Sequence, residues 1–251
     1  AINQFGVLSV DNTGCITYFE EKPTTIPGQK DMALVSMGVY LVSSEYLAES
    51  LRKDALSQSS THDFGKDIIP EGIRRGDHFH AHIFRNPTNE NTPYWRDVGT
   101  IDSYYSANIE LLESNPPINL YDTDWSTVTY QRQLPPALFT CPEVGANIQS
   151  SMISGGCVLG NSNVRRSILF SEVSVENFCE LDGVLALADC RIGANSKLRN
   201  VILDNGCIVP ENTTVGYDLR YDAKKYHVTE GGIVVINRRM LGQSVKYKPE
   251  L

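Results

Sequence analysis

An interval of seventeen residues recurs from Val158 to Val215, and it constrains the fold more than any other feature of the chain. Two rows of aliphatic residues and one row of small residues keep this interval through four copies, and a third apolar row keeps it less regularly. The rows are Val158, Val175, Ile192 and Val209; Val164, Leu181, Leu198 and Val215; Ser162, Cys179, Ser196 and Thr213; and Phe170, Leu187 and Leu203. Aliphatic residues five or six positions apart, with small residues between them, are typical of the hexapeptide repeat of a parallel β-helix. Neither the period of an α-helix nor that of a strand explains the spacing.

The repeat predicts triangular coils stacked about 4.8 Å apart, with the aliphatic rows directed inwards from the flat faces. Because only a neighbouring coil covers each inward side chain, the stability of such a rod approximates a sum over adjacent coils. The pattern resembles the left-handed β-helix of hexapeptide-repeat proteins. We therefore expect a left-handed parallel β-helix domain over residues 144–251, preceded by a proline-rich connector over residues 114–143.

Residues 1–113 carry mixed strand and helix signals, and these signals predict an α/β domain. Two strands are expected on either side of a turn at residues 11–14. The almost wholly apolar run 32–43 predicts a central strand that is buried on both faces. Asp63 and Thr100 precede two of the predicted helices and are expected to act as their N-caps, so we assign no catalytic role to the His62–Asp63 pair. The predicted strands are 6–10 and 16–20, and the predicted helices are 44–51, 64–75 and 101–113.

The composition excludes several classes of partner. A net charge of −8 disfavours nucleic acids and anionic membrane surfaces. No apolar run approaches ~18 residues, and Ala1–Val10 lacks the form of a signal peptide, which favours a cytoplasmic protein without membrane contact. Six cysteines without a CxxC pair indicate buried, reduced thiols. Residues 78–84 alternate as a predicted strand, and His78, His80 and His82 are interpreted as its exposed face, because no fourth ligand has metal-like spacing.

Several short strings occur together in a fixed order along the chain. They are Phe5-Gly6-Val7, Phe19–Pro23, Ser36–Tyr40, His62–Asp67, Tyr94–Thr100, Leu134–Pro136, Ser154–Val158 and Glu230–Val235. With these strings the chain resembles the bacterial ADP-glucose pyrophosphorylase (glucose-1-phosphate adenylyltransferase) family through essentially its whole length. The opening glycine-rich loop of that family, which cradles the nucleotide triphosphate, has no counterpart here. The resemblance implies a carboxy-terminal portion, in which part of a Rossmann-like nucleotidyltransferase domain precedes the β-helix.

The resemblance also implies a reaction, in which ATP and glucose 1-phosphate give ADP-glucose and pyrophosphate for glycogen biosynthesis. Lys22 and Asp97 would be the catalytic residues, with Lys22 on the sugar phosphate and Asp97 on the Mg²⁺ cofactor that bridges the reacting phosphates. Glu21 and Ser36 would bind the glucose 1-phosphate together with Lys22. Because ATP binding needs the absent amino-terminal half, we expect the chain alone to be inactive.

Two properties of the intact enzyme follow from the same resemblance. The family assembles as homotetramers and is regulated by allosteric effectors that bind between its two domains. Lys224 and Lys225 are basic residues close behind the repeat of an acidic protein, and they are the candidate residues for binding an anionic effector. Solvated surface charge is the competing interpretation of this pair.

Three other functions stay open on the sequence. Hexapeptide-repeat acyltransferases usually use a histidine on the flank of the solenoid, and none of the five histidines lies between residues 158 and 215, which disfavours acyl transfer. The presence of Glu21, Lys22, Ser36 and Asp97 disfavours a non-catalytic regulatory or assembly subunit. An enzyme that uses UTP or dTTP would differ mainly in the absent half, so only the quoted strings favour adenylyl transfer.

Overall fold

The computed structural model describes residues 4–25, 33–84, 94–124, 126, 128–140 and 146–244. The chain divides into two compact units, residues 1–95 and residues 96–251, and each unit is described by itself. Among the described residues, no helix is both long enough and apolar enough to cross a membrane.

A three-stranded antiparallel sheet is the centre of the first unit. Strand β1 (Gly6–Val10) lies between β2 (Ile16–Glu21) and β3 (Leu34–Val35). In the predicted turn between β1 and β2, the carboxylate of Asp11 accepts hydrogen bonds from the backbone N–H groups of Thr13 and Cys15. This carboxylate provides acceptors for backbone N–H groups that a tight turn leaves unpaired, as is typical of aspartate in turns.

Two helices complete the first unit, in the places where the sequence predicts them. Helix α1 is Ser44–Ala55, and a π-helical turn over Phe64–Ile68 continues as helix α2, Ile69–Arg75. The Asp63 carboxylate accepts hydrogen bonds from the N–H groups of Gly65 and Lys66, so its predicted role as an N-cap is confirmed. Buried side chains of α2 and the π-helical turn pack with those of the sheet; they are Val7, Phe19, Ile68 and Ile69.

The predicted central strand over residues 32–43 is wrong, apart from the two residues of β3. Val39 is 80% exposed and Leu41 is fully exposed, so the described part of this run is not buried on both faces. The backbone N–H of Ser36 still donates to the carbonyl oxygen of Gly6 in β1. Gly38 then adopts a φ of +71°, a left-handed conformation that turns the chain out of the extended path. Met32 lies outside the described residues.

The predicted histidine-bearing strand over residues 78–84 is also wrong in its extent. Within residues 78–84, which the structure describes throughout, only His80 forms a β-bridge, an isolated one with Cys15 just before β2. His78, His80 and His82 are exposed, as predicted. No group of three or more histidine, cysteine, aspartate or glutamate side chains in the described parts of the chain is placed to hold a metal ion.

The second unit begins with helix α3 (Ile101–Glu110), which starts at the predicted Thr100 N-cap and is followed by a parallel β-helix. The strands of the β-helix are β4 (Leu138–Phe139), β5 (Asn147–Gln149), β6 (Met152–Ile153), β7 (Val158–Leu159), β8 (Asn163–Arg165), β9 (Ile168–Leu169), β10 (Ser174–Val175), β11 (Glu180–Ala186), β12 (Arg191–Ile192), β13 (Lys197–Leu203), β14 (Ile208–Val209) and β15 (Thr214–Val215). A short helix α4 (Leu219–Asp222) follows, and then β16 (His227–Val228) pairs antiparallel with β17 (Val234–Ile236), which adds in parallel to β13.

The second predicted row is inward-facing, as expected. Val164, Leu181, Leu198 and Val215 pair in register through adjacent parallel strands, and all four are buried. Their burial forms one continuous apolar interior, which each coil shares with the next. The repeat therefore predicts both the parallel β-helix and this register.

Two of the other rows start at the wrong residue. In the first coil Leu159 is fully buried and pairs with Val175, whereas Val158 is 40% exposed and points outwards. The third inward row contains Leu169 and Ala186 instead of their neighbours Phe170 and Leu187. Leu203 is correctly placed in that row, and Ile236 of β17 extends it.

The corners of the coils hold small buried residues and residues with left-handed backbone. The left-handed positions are Phe178, Asn195 and Asn212 at one corner, Arg166, Gly183 and Asn200 at the next, and Glu172, Asp189 and Gly206 at the third. Cys157, Cys179, Cys190 and Cys207 are buried and unpaired in disulfides, as predicted for inward thiols. Burial raises the pKa of the Cys179 thiol, so this side chain stays protonated. Cys141 lies outside the described residues.

Candidate active site

Gly6 on β1 is the point at which the predicted sugar-phosphate residues meet in the first unit. Glu21 on β2 is its direct cross-strand partner. On the other side of β1, the N–H of Ser36 donates to the Gly6 carbonyl oxygen over 2.7 Å. The N–H of Lys22 donates to the carbonyl oxygen of Phe5 over 3.0 Å. The sheet thus brings Glu21, Lys22 and Ser36 to one end of its central strand.

The carboxylate of Glu21 is held close to the backbone of two glycines. Only 18% of this side chain is exposed. A Cβ atom on Gly6 would lie 2.7 Å from Oε2 of Glu21, and one on Gly65 would lie 2.6 Å from the same oxygen. A larger residue at either position would therefore displace the carboxylate. Because Gly65 is the second residue of the π-helical turn, the His62–Asp67 string has a place in the site through its glycine.

Lys22 combines an exposed ammonium group with an unusual backbone. Its φ is +52°, a conformation that few non-glycine residues adopt. Its side chain is 56% exposed, and its Nζ lies 4.0 Å from Oε1 of Glu21. The lysine is therefore an exposed cation beside a largely buried carboxylate, and its charge is accessible to an anionic ligand.

Ser36 contacts an aromatic pair, Tyr40 and Phe64, for which the sequence predicted no role. Its Oγ lies 3.1 Å from the Tyr40 hydroxyl and accepts the N–H of Gly38 over 3.2 Å. The Tyr40 ring stacks on Phe64, with centroids 5.6 Å apart. The spacing of Ser36 and Tyr40 within one quoted string was the only sequence signal for this contact. Hydroxyls, a carboxylate and an ammonium group in one cluster are suited to a sugar phosphate.

Asp97 belongs to the second unit, where it precedes α3. Its Oδ1 accepts the N–H of Gly99 over 3.1 Å, and it is half-buried. Arg96 beside it forms an ion pair of 2.6 Å with Glu110 at the end of the helix. A carboxylate oxygen is the ligand type that Mg²⁺ prefers, and Mg²⁺ commonly takes one or two carboxylates with water and phosphate oxygens. The chemistry of Asp97 therefore fits a magnesium ligand.

Lys224 and Lys225 lie at the end of α4 and are both exposed. The Lys225 ammonium donates to the Tyr221 hydroxyl over 3.0 Å and lies 4.8 Å from the centroid of its ring. Lys224 approaches the same ring at 6.0 Å. The two lysines thus form a basic cluster around one tyrosine, which has the charge but not the enclosure of an anion site.

Two family models match the chain, and together they define its class. Residues 2–114 match the model described as nucleotidyl transferase, and residues 135–236 match the model described as GlmU-like, C-terminal hexapeptide. The chain is therefore a nucleotidyltransferase domain joined to a left-handed β-helix of hexapeptide repeats.

The curated relatives are more specific. Proteins named glucose-1-phosphate adenylyltransferase from Nitrosospira multiformis and Shewanella baltica are 42% and 43% identical to it over 97% and 99% of this chain. A protein from Pseudoalteromonas atlantica named glucose-1-phosphate adenylyltransferase 2 is 45% identical over 98% of it. The chain is therefore similar to glucose-1-phosphate adenylyltransferases over nearly all of its own length. It spans 59%, 60% and 59% of the length of these three relatives.

Proposed function

We propose that the full-length protein is a glucose-1-phosphate adenylyltransferase of glycogen biosynthesis, which forms ADP-glucose and pyrophosphate from ATP and glucose 1-phosphate. The observation that carries this proposal is the convergence of Glu21, Lys22 and Ser36 around Gly6. The match to the nucleotidyl transferase model and the similarity to proteins named glucose-1-phosphate adenylyltransferase support the reaction type. In this proposal ATP binding requires a segment that corresponds to the amino-terminal part of the relatives. Without that segment, this chain is inactive.

In the proposed reaction a phosphate oxygen of glucose 1-phosphate attacks the α-phosphorus of ATP, and pyrophosphate leaves. No covalent enzyme intermediate is needed, so the protein acts by placing two polyanions and offsetting their charge. The exposed ammonium group of Lys22 holds the sugar phosphate. Glu21 and Ser36 bind glucose hydroxyls, and the Tyr40 hydroxyl holds the Ser36 Oγ. Asp97 provides one carboxylate to Mg²⁺, which offsets phosphate charge when it is bound.

The proposal extends to the cellular form of the enzyme. We place it in the cytoplasm as a homotetramer that binds no nucleic acid and no membrane. Lys224 and Lys225 bind an anionic effector in this form, because they combine two cations with an aromatic ring in a protein of net charge −8.

Replacement of Lys22 by alanine in the full-length protein tests the sugar-phosphate site. The loss of one charge-assisted contact costs about 1.5–3 kcal/mol, or about 10- to 150-fold in affinity. We expect the KM for glucose 1-phosphate to rise within that range while the KM for ATP stays within about twofold. Lys53→Ala is the matched control, because Lys53 is an exposed lysine that forms an ion pair with Glu49 on α1. An unchanged glucose 1-phosphate titration in Lys22→Ala would contradict the assignment.

A further inference from the structure

Helix α3, which follows Asp97, is bound to the β-helix by hydrogen bonds as well as by apolar contacts. Asp102 in the first turn of α3 accepts the hydroxyl of Thr229 over 2.5 Å and lies 3.4 Å from the N–H of Gly231. The Thr229 hydroxyl in turn accepts the N–H of Ile233 over 3.0 Å. A Cβ atom on Gly231 would lie 2.6 Å from the Asp102 carboxylate, so a glycine at this position permits the approach.

One turn further along α3, Tyr105 enters a recess at a corner of the β-helix. The residue is 7% exposed, and its hydroxyl donates to the Gly183 carbonyl oxygen over 2.7 Å and lies 3.2 Å from Oδ1 of Asn200. Gly183 has a φ of +67°, and a Cβ atom there would overlap the tyrosine hydroxyl. Burial raises the pKa of Tyr105, so the hydroxyl keeps the proton that it donates.

An apolar layer closes around the Tyr105 contacts, whereas the contacts of Asp102 are only partly buried. Its buried members are Tyr105, Ile168, Leu185, Ile202 and Ile233. Within this low-polarity layer, an unpaired Gly183 carbonyl oxygen is costly, so its hydrogen bond with Tyr105 selects one placement of α3 on the face of the β-helix. Hydrophobic contact alone is non-directional and would tolerate small shifts of the helix along that face.

The placement of α3 determines where Asp97 lies. Only Val98 and Gly99 separate Asp97 from the Thr100 N-cap. On its other side, the Arg96–Glu110 ion pair joins the incoming chain to the last turn of the same helix. The Asp97 segment is therefore attached to α3 at both of its ends, and α3 is attached to the β-helix.

We propose that Asp102, Tyr105 and Thr229 are positioning residues, through which the β-helix holds the Asp97 carboxylate in place for the metal-dependent step. This inference rests on the proposed function, because it takes Asp97 to be the magnesium ligand. It gives the β-helix a direct part in catalysis, in addition to any part in assembly. A displacement of about 1 Å in a catalytic group is enough to slow a reaction considerably.

The test uses Tyr105→Phe in the full-length protein, with Tyr226→Phe as the matched control. Tyr226 is a half-buried tyrosine of the same unit that packs on the interior of the β-helix, away from the α3 layer. The loss of one hydrogen bond of about 0.5–1.5 kcal/mol corresponds to about 2- to 12-fold. We expect kcat to fall and the Mg²⁺ concentration at half-maximal rate to rise by that factor, with the KM for glucose 1-phosphate unchanged. Amide hydrogen exchange of residues 96–104 should accelerate by a similar factor, and the control should alter none of these quantities.

A second pair of variants covers the case in which Tyr105→Phe does not fold. Thr229→Val removes the hydroxyl with little change in shape and should reproduce the losses in kcat and Mg²⁺ response. Thr229→Ser keeps the hydroxyl and should behave like the unchanged protein. In an Asp97→Asn background neither Tyr105→Phe nor Thr229→Val should lower kcat further, because the carboxylate that they position is gone. A purely structural role would lower thermal stability and leave the Mg²⁺ dependence unchanged.

The outcomes separate this inference from the function on which it rests. Normal turnover of Asp97→Asn would overturn the metal role of Asp97 in the proposed function. If Asp97→Asn is impaired, two results would overturn the positioning role alone. One is that the losses of Tyr105→Phe or Thr229→Val add to the loss of Asp97→Asn. The other is that amide hydrogen exchange of residues 96–104 is unchanged in both of these variants.

Discussion

Two adjacent residues of β7 provide a direct test of how the β-helix is packed. An even interval of seventeen places Val158 in the interior, whereas the structure places Leu159 there, fully buried between Phe139 and Val175 of the neighbouring strands. Val158 is 40% exposed on the outer face. Replacement of each residue by alanine should therefore have very different effects on the free energy of unfolding.

The expected magnitudes follow from burial. Leu159→Ala removes about three methyl or methylene groups, worth about 0.8 kcal/mol each, and leaves a cavity that adds to the loss. The free energy of unfolding should fall by about 3 kcal/mol, within the range of 2–5 kcal/mol found for buried Leu→Ala changes. Val158→Ala removes two such groups from a side chain already in partial contact with water, so about 1 kcal/mol is expected.

Urea unfolding followed by circular dichroism measures both values, and thermal melting provides an independent reading. At roughly 2–4 °C for each kcal/mol in a protein of this size, Leu159→Ala should lower Tm by roughly 6–12 °C. Val158→Ala should lower it by only a few degrees. Equal losses, or a larger loss for Val158→Ala, would refute the register described here and restore the even interval of seventeen.

Two further predictions concern a glycine and the basic cluster. Gly216→Ala should destabilise the β-helix by more than about 3 kcal/mol, since its Cβ would overlap the Arg199 carbonyl oxygen at a φ of +86°. Gly242→Ala, at +71° in open space, should cost about 1–2 kcal/mol in the same melting assay, and equal losses would contradict the steric argument. Replacement of Lys224 and Lys225 together by alanine should weaken phosphate binding at least about tenfold by calorimetric titration, and undiminished binding would exclude the proposed effector site.

The misplaced first row has a local cause at one corner of the β-helix. From Val175 to Leu181 the chain takes six residues, as it does at the same corner in the following coils, but from Leu159 to Val164 it takes five. The corner between Leu159 and Val164 is therefore one residue shorter. It lacks the residue with left-handed backbone that Phe178 provides in the next coil. An interval counted along the sequence cannot show which corner is shorter by one, because an apolar residue occupies both candidate positions.

The candidate site in the first unit was predictable as a set of residues but not as a geometry. Family strings identify Glu21, Lys22 and Ser36, and the alternation of strand residues predicts two of the strands. What they do not give is the order of the sheet, which puts Gly6 between Glu21 and Ser36. The contact of Tyr40 with Ser36 depends on the turn at Gly38, which a run of apolar residues conceals.

The third row shows why an apolar period alone misassigns faces in this β-helix. Ile168, Leu185 and Ile202 are also seventeen residues apart, yet they point outwards, one residue before the inward Leu169, Ala186 and Leu203. A face with apolar residues on both sides must be covered from outside, and α3 provides that cover. Phe170 and Leu187 are also seventeen residues apart, so spacing cannot separate them from the inward Leu169 and Ala186, whereas the packing is decided by alternation along the strand. The outward row of Ile168, Leu185 and Ile202 therefore indicates that another element docks on this face. In this way the sequence already contained the contact between the β-helix and the helix that follows Asp97.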